Sequence, residues 1–347
     1  MALEGITGQQ RAVATLEASL RSGQLAQAYL FVGPGGVGRL ALARSLAGVL
    51  LCTEREDERC GSCESCRAFD AGRHPDYHEV GVPEGKQELP IATVRDLQRQ
   101  AAVRPNLAGR RVFVVREAER MNIAAANCFL KTLEEPPGQC CFVLIASSLA
   151  EMPETIVSRC RLVKLAALPP REVEQELVAG GASADDAWWL ARRSWGSPGL
   201  SRAFAEMGLA AFNRKLAELL GSVGAEDNFK LTDLVLETVS QGPSSRAGAR
   251  LLLQDLLECL AVLYRDVAAL AVGGGEAELF NRDLPEALRR LAGRCDANDL
   301  IDCADRVLEA IEHIGANANQ RVVLDDLFAH LAVTCGAAAG ERAGRDR

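Results

Sequence analysis

Gly33-Pro34-Gly35-Gly36-Val37-Gly38-Arg39-Leu40 is the stretch on which the fold of this chain turns. Its spacing is that of a phosphate-binding loop, G-x-x-x-x-G-K-[S/T]. In such a loop backbone N–H groups cradle phosphates, Lys reaches the β/γ-phosphates and a hydroxyl holds Mg²⁺. Gly33, Gly35, Gly36 and Gly38 supply the backbone freedom. The last two positions depart from the pattern. Arg39 replaces Lys, putting a planar fork where a compact point charge belongs. Leu40 replaces the hydroxyl and has no atom that ligates a metal. The flanks fit a true loop: Tyr29-Leu30-Phe31-Val32 reads as a short buried strand and Leu40 to Leu51 as a helix. Strand–loop–helix is the context the motif requires, and it counts against a glycine-rich turn of no consequence.

Working outward, Val112-Phe113-Val114-Val115 reads as a second buried strand. In a working nucleotide site this strand leads into a Walker B Asp that orders Mg²⁺. Here the position is Arg116, followed by Glu117. A cation at that place repels a magnesium ion. Both halves of the nucleotide chemistry are therefore altered independently, and ATP and Mg²⁺ are not expected to bind productively. Further strands are expected at Tyr77 to Val80, Cys141 to Ala146 and Val163 to Leu165. Helices are expected at 8–22, Ile91 to Ala102 and Ala124 to Glu135, the last stopped by Pro136-Pro137. Strands alternating with helices argue a parallel α/β sheet.

After the loop helix come Cys52, Cys60, Cys63 and Cys66, spaced C-x₇-C-x₂-C-x₂-C. Short x₂ gaps let several thiolates converge on one tetrahedral zinc, and four protein ligands leave no open position, so the site is structural. Glu54-Arg55-Glu56-Asp57-Glu58-Arg59 between them is too polar to pack, which a metal explains. The other eight cysteines show no ligand spacing. His74-Pro75-Asp76 reads as a turn whose His is structural. From Arg95 to Arg120 seven Arg face three acids, suited either to phosphate contact or to a solvated helix face.

The 347 residues suggest two or three domains with ample core, and 48% apolar and 25% charged residues are ordinary for a soluble protein. A net charge of −8 excludes a surface that is basic throughout. No apolar run approaches membrane-spanning length, and the start lacks a secretory signal, so a cytoplasmic protein is expected, and twelve cysteines then mean metal or core. Beyond Pro169-Pro170 the pattern becomes helical. Trp188, Trp189 and Trp195 are expected in the core of a small module. Leu253, Leu256, Leu260, Leu263 and Val267 form one apolar stripe; Leu300, Val307, Leu308 and Ile311 a second; Val323, Leu327 and Leu331 a third. The small, polar tail from Gly336 is expected to be disordered.

Asn127-Cys128-Phe129-Leu130-Lys131-Thr132-Leu133-Glu134-Glu135-Pro136-Pro137 resembles the N-x-L-L-K-x-L-E-E-P-P signature of bacterial clamp-loader subunits, with Phe129 the one departure. Ser158-Arg159-Cys160 is similar to that family's S-R-C motif. The four-cysteine module matches too, its first gap one residue shorter than the commonest. Gln27-Ala28-Tyr29-Leu30-Phe31, His74-Pro75-Asp76 and Asn317-Ala318-Asn319 also fit, so the resemblance covers nearly the whole chain, weakest from about 209 to 295. Motor subunits of the family, gamma and tau, keep Lys, Ser/Thr and the Walker B Asp. This sequence looks like the non-motor branch, which commonly loses them and keeps S-R-C.

The resemblance implies an AAA+ module with a zinc insertion at residues 1–167 (zinc module about 52–66), a small helical lid at 168–208 and an all-α collar at 209–335 that mediates oligomerisation, followed by the tail 336–347. It implies a stator subunit of the polymerase holoenzyme without ATPase activity of its own. That subunit assembles with gamma/tau-type ATPase subunits and a delta subunit to place a sliding clamp on primed DNA, with no role for a membrane. Arg159, flanked by Ser158 and Cys160, is then a trans arginine finger, and an Arg offered to a neighbour's γ-phosphate stabilises transition-state charge. Two other readings compete: an ATP-hydrolysing gamma/tau-like subunit, in which Arg39 and Glu117 still act, and a zinc-dependent DNA-binding module. Leu40 and Arg116 speak against the first, and the acidic stretch before Cys60 against the second.

Overall fold

The computed structural model describes residues 3, 6–83, 85–222, 228–275, 279–282, 285–293 and 295–345. They gather into two compact units, one of Met1–Glu176 with Ser194–Ser201, the other of Leu177–Arg193 with Arg202–Arg347. The stretch 168–208 thus contributes to both.

The first unit runs α1 (Gln10–Arg21), β1 (Ala28–Val32), α2 (Arg39–Leu50), α3 (Glu64–Asp70), β2 (Tyr77–Val80), α4 (Ile91–Ala101) and β3 (Arg111–Val115). After a 3₁₀ turn at Ala118–Arg120 follow α5 (Ile123–Glu134), β4 (Cys140–Ala146), α6 (Glu154–Val157), β5 (Arg161–Lys164) and α7 (Pro170–Ala179), which crosses the unit boundary. The five strands form one parallel sheet in the order β2-β3-β4-β1-β5, with Leu30 of β1 beside Leu144 of β4 and Leu162 of β5.

Strand period explains the layering. Tyr29, Phe31, Val112, Val114, Val143 and Ile145 point to one face and pack with Leu16 of α1 and Leu42 and Leu46 of α2. Their neighbours Leu30, Phe113, Phe142 and Leu144 point to the other and pack with Leu97 of α4 and Phe129 of α5. Phe113 stacks on Phe142 at 5.1 Å and Phe129 meets Phe142 edge-on at 5.4 Å, so the residue that departs from the leucine signature fills a specific aromatic slot.

The turn at His74-Pro75-Asp76 ties this sheet to the cysteine-bearing insertion. Ser65 Oγ donates to the Leu51 carbonyl and therefore accepts from His74 Nε2 at 2.8 Å, while His74 Nδ1 accepts the Asp76 N–H at 3.0 Å. The ring is neutral with its proton on Nε2, and burial lowers its pKa against the opposing charge of Asp76. Asp76 itself is fully buried and accepts three backbone N–H bonds, from Asn106 and Leu107 at 2.7 Å and Ala108 at 2.9 Å. Arg111 Nε stands 3.5 Å from Oδ1 as an ion pair. Burial works against the carboxylate, but the three N–H donors and Arg111 outweigh it and hold the carboxyl below its ordinary range.

The second unit is helical: the end of α7, α8 (Ala184–Arg193), most of α9 (Pro198–Glu206), α10 (Leu209–Ser222), α11 (Asn228–Ser240), α12 (Arg246–Ala271), α13 (Pro285–Ala292), α14 (Ala297–Gly315) and α15 (Gln320–Arg345). The first expected stripe is buried along α12. The second is corrected: α14 buries Leu300, Cys303, Val307, Ala310 and Ile314, whereas Leu308 is 52% exposed and Ile311 half-buried. Spacings of three and four from Leu300 pick out those five and pass Leu308 by. Asp296 caps the helix through the N–H groups of Asn298 and Asp299.

Of the three tryptophans only Trp189 is core; its Nε1 donates to Asn281 Oδ1 at 2.9 Å, which also accepts from Asn213 Nδ2 at 2.6 Å. Asn281 in turn donates through its backbone N–H (2.8 Å) and Nδ2 (2.7 Å) to the buried Asp266 carboxylate, a chain that joins α8, α10 and α12. Trp188, one position along, faces outward beneath the guanidinium groups of Arg192 and Arg282 at 3.7 and 4.4 Å. Trp195 lies beyond α8 and is 75% exposed. The last helix, α15, runs to Arg345. No helix among the described residues is long and apolar enough to cross a membrane.

Asp76→Ala would leave Arg111 and three N–H groups buried without their partner. Chemical denaturation of the whole chain should show a loss of about 3–5 kcal/mol, the cost of breaking a buried pair. Because the native carboxyl is depressed, its contribution is complete above the unfolded pKa and disappears as pH falls through the native one. The variant should therefore lie closest to the parent in strong acid.

Candidate functional site

The phosphate-loop pattern lies between β1 and α2, at the edge of the sheet where β1 ends. Gly36 and Gly38 have φ of 70° and 96°, the left-handed region in which a side chain strains. Gly33 lies so close to the chain that its missing Cβ would sit 2.3 Å from the Leu165 carbonyl oxygen. The loop is clasped from outside: Gly199 N–H donates to the Gly36 carbonyl at 2.9 Å, and a Cβ on Gly36 would meet Ser197 Oγ at 2.2 Å. Gly35 lies open. Gln9, buried behind, donates to the Val37 carbonyl at 3.3 Å and to Ala166 at 2.8 Å.

Arg39 opens α2, half-buried, and desolvation lowers its pKa while the nearby charge of Glu119 opposes that shift. Leu40 packs against the apolar cluster beneath α1 and α2. Arg116 follows β3 and pairs at 3.5 Å with Glu79 of β2, which Arg44 already holds through two bonds of 2.8 and 3.0 Å. Glu117 takes the left-handed φ of 51° and pairs with Arg120. Sequence reasoning missed Glu119: its Oε1 accepts from the N–H and hydroxyl of Ser147 at 3.1 and 2.6 Å, just past the end of β4. An acid three residues after the altered Walker B position was the available signal. Arg39 at the head of α2 therefore lies within the field of a carboxylate bound just past the end of β4.

Cys52, Cys60, Cys63 and Cys66 come together, every Sγ within 4.8 Å of the others. Cys60 and Cys66 Sγ are 3.8 Å apart, which is the edge of a tetrahedron with Zn–S bonds of about 2.3 Å. The helix start assists: Cys60 Sγ accepts the Cys63 N–H and Cys63 Sγ the Cys66 N–H, each at 3.3 Å. The backbone N–H groups of Ser62 and then Cys63 lower the pKa of Cys60. Burial opposes ionisation of Cys63, yet its donors, Thr53 first, bring it to about 6. Burial pushes Cys66 up to about 12, as expected of four crowded thiols that cannot all ionise without a cation. The donor set and its geometry fit one structural zinc. Around it Arg59 pairs with Asp70, donates to the Cys66 carbonyl at 3.1 Å and covers the Phe69 ring, so the acidic stretch is anchored at its end.

Ser158-Arg159-Cys160 forms the turn between α6 and β5. Ser158 Oγ donates to the Thr155 carbonyl at 3.1 Å. Cys160 packs into the α4/α5-side cluster, and burial pushes its thiol up to about 12, so it is an anchor and not a nucleophile. Arg159 is exposed. Its Nη1 donates to the Thr155 carbonyl at 2.9 Å and lies 3.4 Å from Ser158 Oγ, while Nη2 pairs with Glu134 at the end of α5. The loop, the cysteine cluster and Arg159 belong to separate parts of one unit.

A family profile described as DNA polymerase III, delta subunit matches residues 8–169. DNA polymerase III subunit delta' of Bacillus subtilis is 29% identical over 324 residues, 92% of this chain and 94% of that one. DNA polymerase III subunit delta' of Escherichia coli is 30% identical over 318 residues, 90% of this chain and 91% of that one. DNA polymerase III subunit tau of Bacillus subtilis is 31% identical, but over 159 residues only, 46% of this chain and 28% of that one. Similarity to tau thus stops at about half of this chain, whereas similarity to delta' runs through the α/β and the helical parts alike. The chain belongs to the family of DNA polymerase III subunit delta'.

Proposed function

We propose that this chain is the stator of a sliding-clamp loader: it hydrolyses no ATP itself and completes the ATP site of a neighbouring subunit with Arg159. The observation that carries this reading is an exposed Arg159 on an anchored turn, in a chain whose own loop presents Arg39, Leu40 and Arg116. Ser158 closes the turn and Cys160 pins it to the core, so the guanidinium leaves the surface at a fixed place. Its planar fork suits a γ-phosphate, and such a group is worth roughly 10³–10⁵ in rate in related hydrolases. The α/β unit is then the AAA+ module, 168–208 the lid and 209–335 the collar by which the subunit joins gamma/tau-type ATPases and a delta subunit. The sliding clamp and primed DNA are partners of the whole assembly. Gly33, Gly35, Gly36, Gly38 and Arg39 remain as a phosphate loop without turnover. Cys52, Cys60, Cys63 and Cys66 hold a zinc whose role is to fasten the insertion.

Three outcomes follow. Metal analysis of the purified chain should give about one zinc for one four-ligand site, lost in Cys63→Ser; a metal-free, fully folded parent would overturn that assignment. The isolated chain should show no ATP turnover, and steady hydrolysis abolished by Arg39→Ala would reverse this. Arg159→Ala should fold and assemble normally, because an exposed Arg contributes little to stability. In the assembled complex it should lower DNA- and clamp-stimulated ATPase and clamp loading in part, with poor rescue by Lys. Unchanged rates in a normally assembled complex would leave the subunit a scaffold alone.

A further inference from the structure

We propose that Glu134 restrains the Arg159 finger: its carboxylate engages the guanidinium while the subunit waits, and releases it when a neighbour's γ-phosphate competes. The proposal rests on the finger reading of Arg159. Three acceptors of the same unit already occupy the fork, Glu134 on Nη2 and the Thr155 carbonyl and Ser158 Oγ on Nη1. Only Glu134 carries charge, and it comes from a different element, 25 residues earlier in the chain. The pair is neither sealed nor free, with side chains 34% and 47% exposed. An exposed pair of this kind exchanges readily. A γ-phosphate brings more negative charge than one carboxylate and, in a closed interface, less competition from water, so the fork transfers to it.

The position of Glu134 supports a dedicated role. It is the last residue of α5, followed by Glu135 and Pro136-Pro137. Carboxylates at a helix C-terminus oppose the helix dipole, so this helix end gains from a cation beside it. Arg159 meets part of that need beside Lys131 of the last turn, and the two sites are linked: whatever withdraws Arg159 leaves Glu134 without its ion-pair partner. In the docked state the carboxylate would still flank the fork, where it limits how strongly the finger can act before the interface closes.

The experiment compares four complexes rebuilt with gamma/tau-type ATPase subunits: parent, Glu134→Gln, Arg159→Ala and the double variant. Glutamine keeps the shape and one acceptor while removing the charge. ATPase is measured without and with clamp and primed DNA, after assembly has been checked by gel filtration. Glu134→Gln should raise the unstimulated rate about two- to fivefold, the range an exposed ion pair supports, and leave the stimulated rate near the parent's, so the stimulation ratio falls. The double variant should match Arg159→Ala. An unstimulated rate that stays level or falls in Glu134→Gln, with Arg159→Ala still impaired, overturns the restraint and leaves the finger standing. The same rise in the Arg159→Ala background also overturns it. No effect of Arg159→Ala removes the finger itself, and this proposal with it.

Discussion

A carboxylate sealed from water sets the terms for the α/β unit. Asp76 can stay charged at zero exposure only because three consecutive backbone N–H groups and Arg111 converge on it. That requirement fixes the approach to β3, because residues 106–108 and Arg111 must present their donors to one point. It equally fixes β2, which begins one residue after Asp76. Through His74 and Ser65 the same point is bonded to the helix that carries Cys63 and Cys66. The cysteine module is thus tied to the sheet by a neutral imidazole as well as by its own cluster of thiols.

Arginines of this unit are then engaged by acids of their own chain at several places. At the loop, Arg116 stands at the position of a metal-ligating Asp and pairs with Glu79, while Arg39 stands at the Lys position within the field of Glu119. Arg159 is engaged as well, by Glu134 at the end of α5. Buried pairs are costly to break and exposed ones are not. The same residue type therefore serves as a buried fixture at Arg111 and as a partner in exposed ion pairs at Arg116 and Arg159.

Much of this was legible in the sequence because period and punctuation were strong. The continuous apolar runs at Tyr29, Val112 and Cys141 became central parallel strands, and Pro136-Pro137 stopped α5 within a residue of the expected end. The cysteine spacing was equally direct, since x₂ gaps leave the thiols few other places to go. Long-range electrostatics were not legible. Nothing local to Glu119 or Glu134 announces Ser147 or Arg159 as partners, because those contacts span 28 and 25 residues. The helical unit was read less well where one residue shifts the face. Trp188 and Trp189 are adjacent, yet one packs inside and one lies under two arginines.

The clasp between Gly36 and Gly199 has a consequence for what a glycine motif records. Each needs its missing side chain for the other: a Cβ on Gly199 would stand 2.7 Å from the Gly36 carbonyl oxygen, and one on Gly36 would collide with Ser197. Gly33 is held to glycine by Leu165 in the same manner. None of these constraints involves a phosphate. The spacing that identifies a nucleotide loop is then also a requirement of polypeptide touching polypeptide, and packing alone would hold these positions to glycine whether or not a phosphate binds. In this fold the glycines are kept by their surroundings, and the two residues after them carry what the phosphate-loop pattern adds to packing.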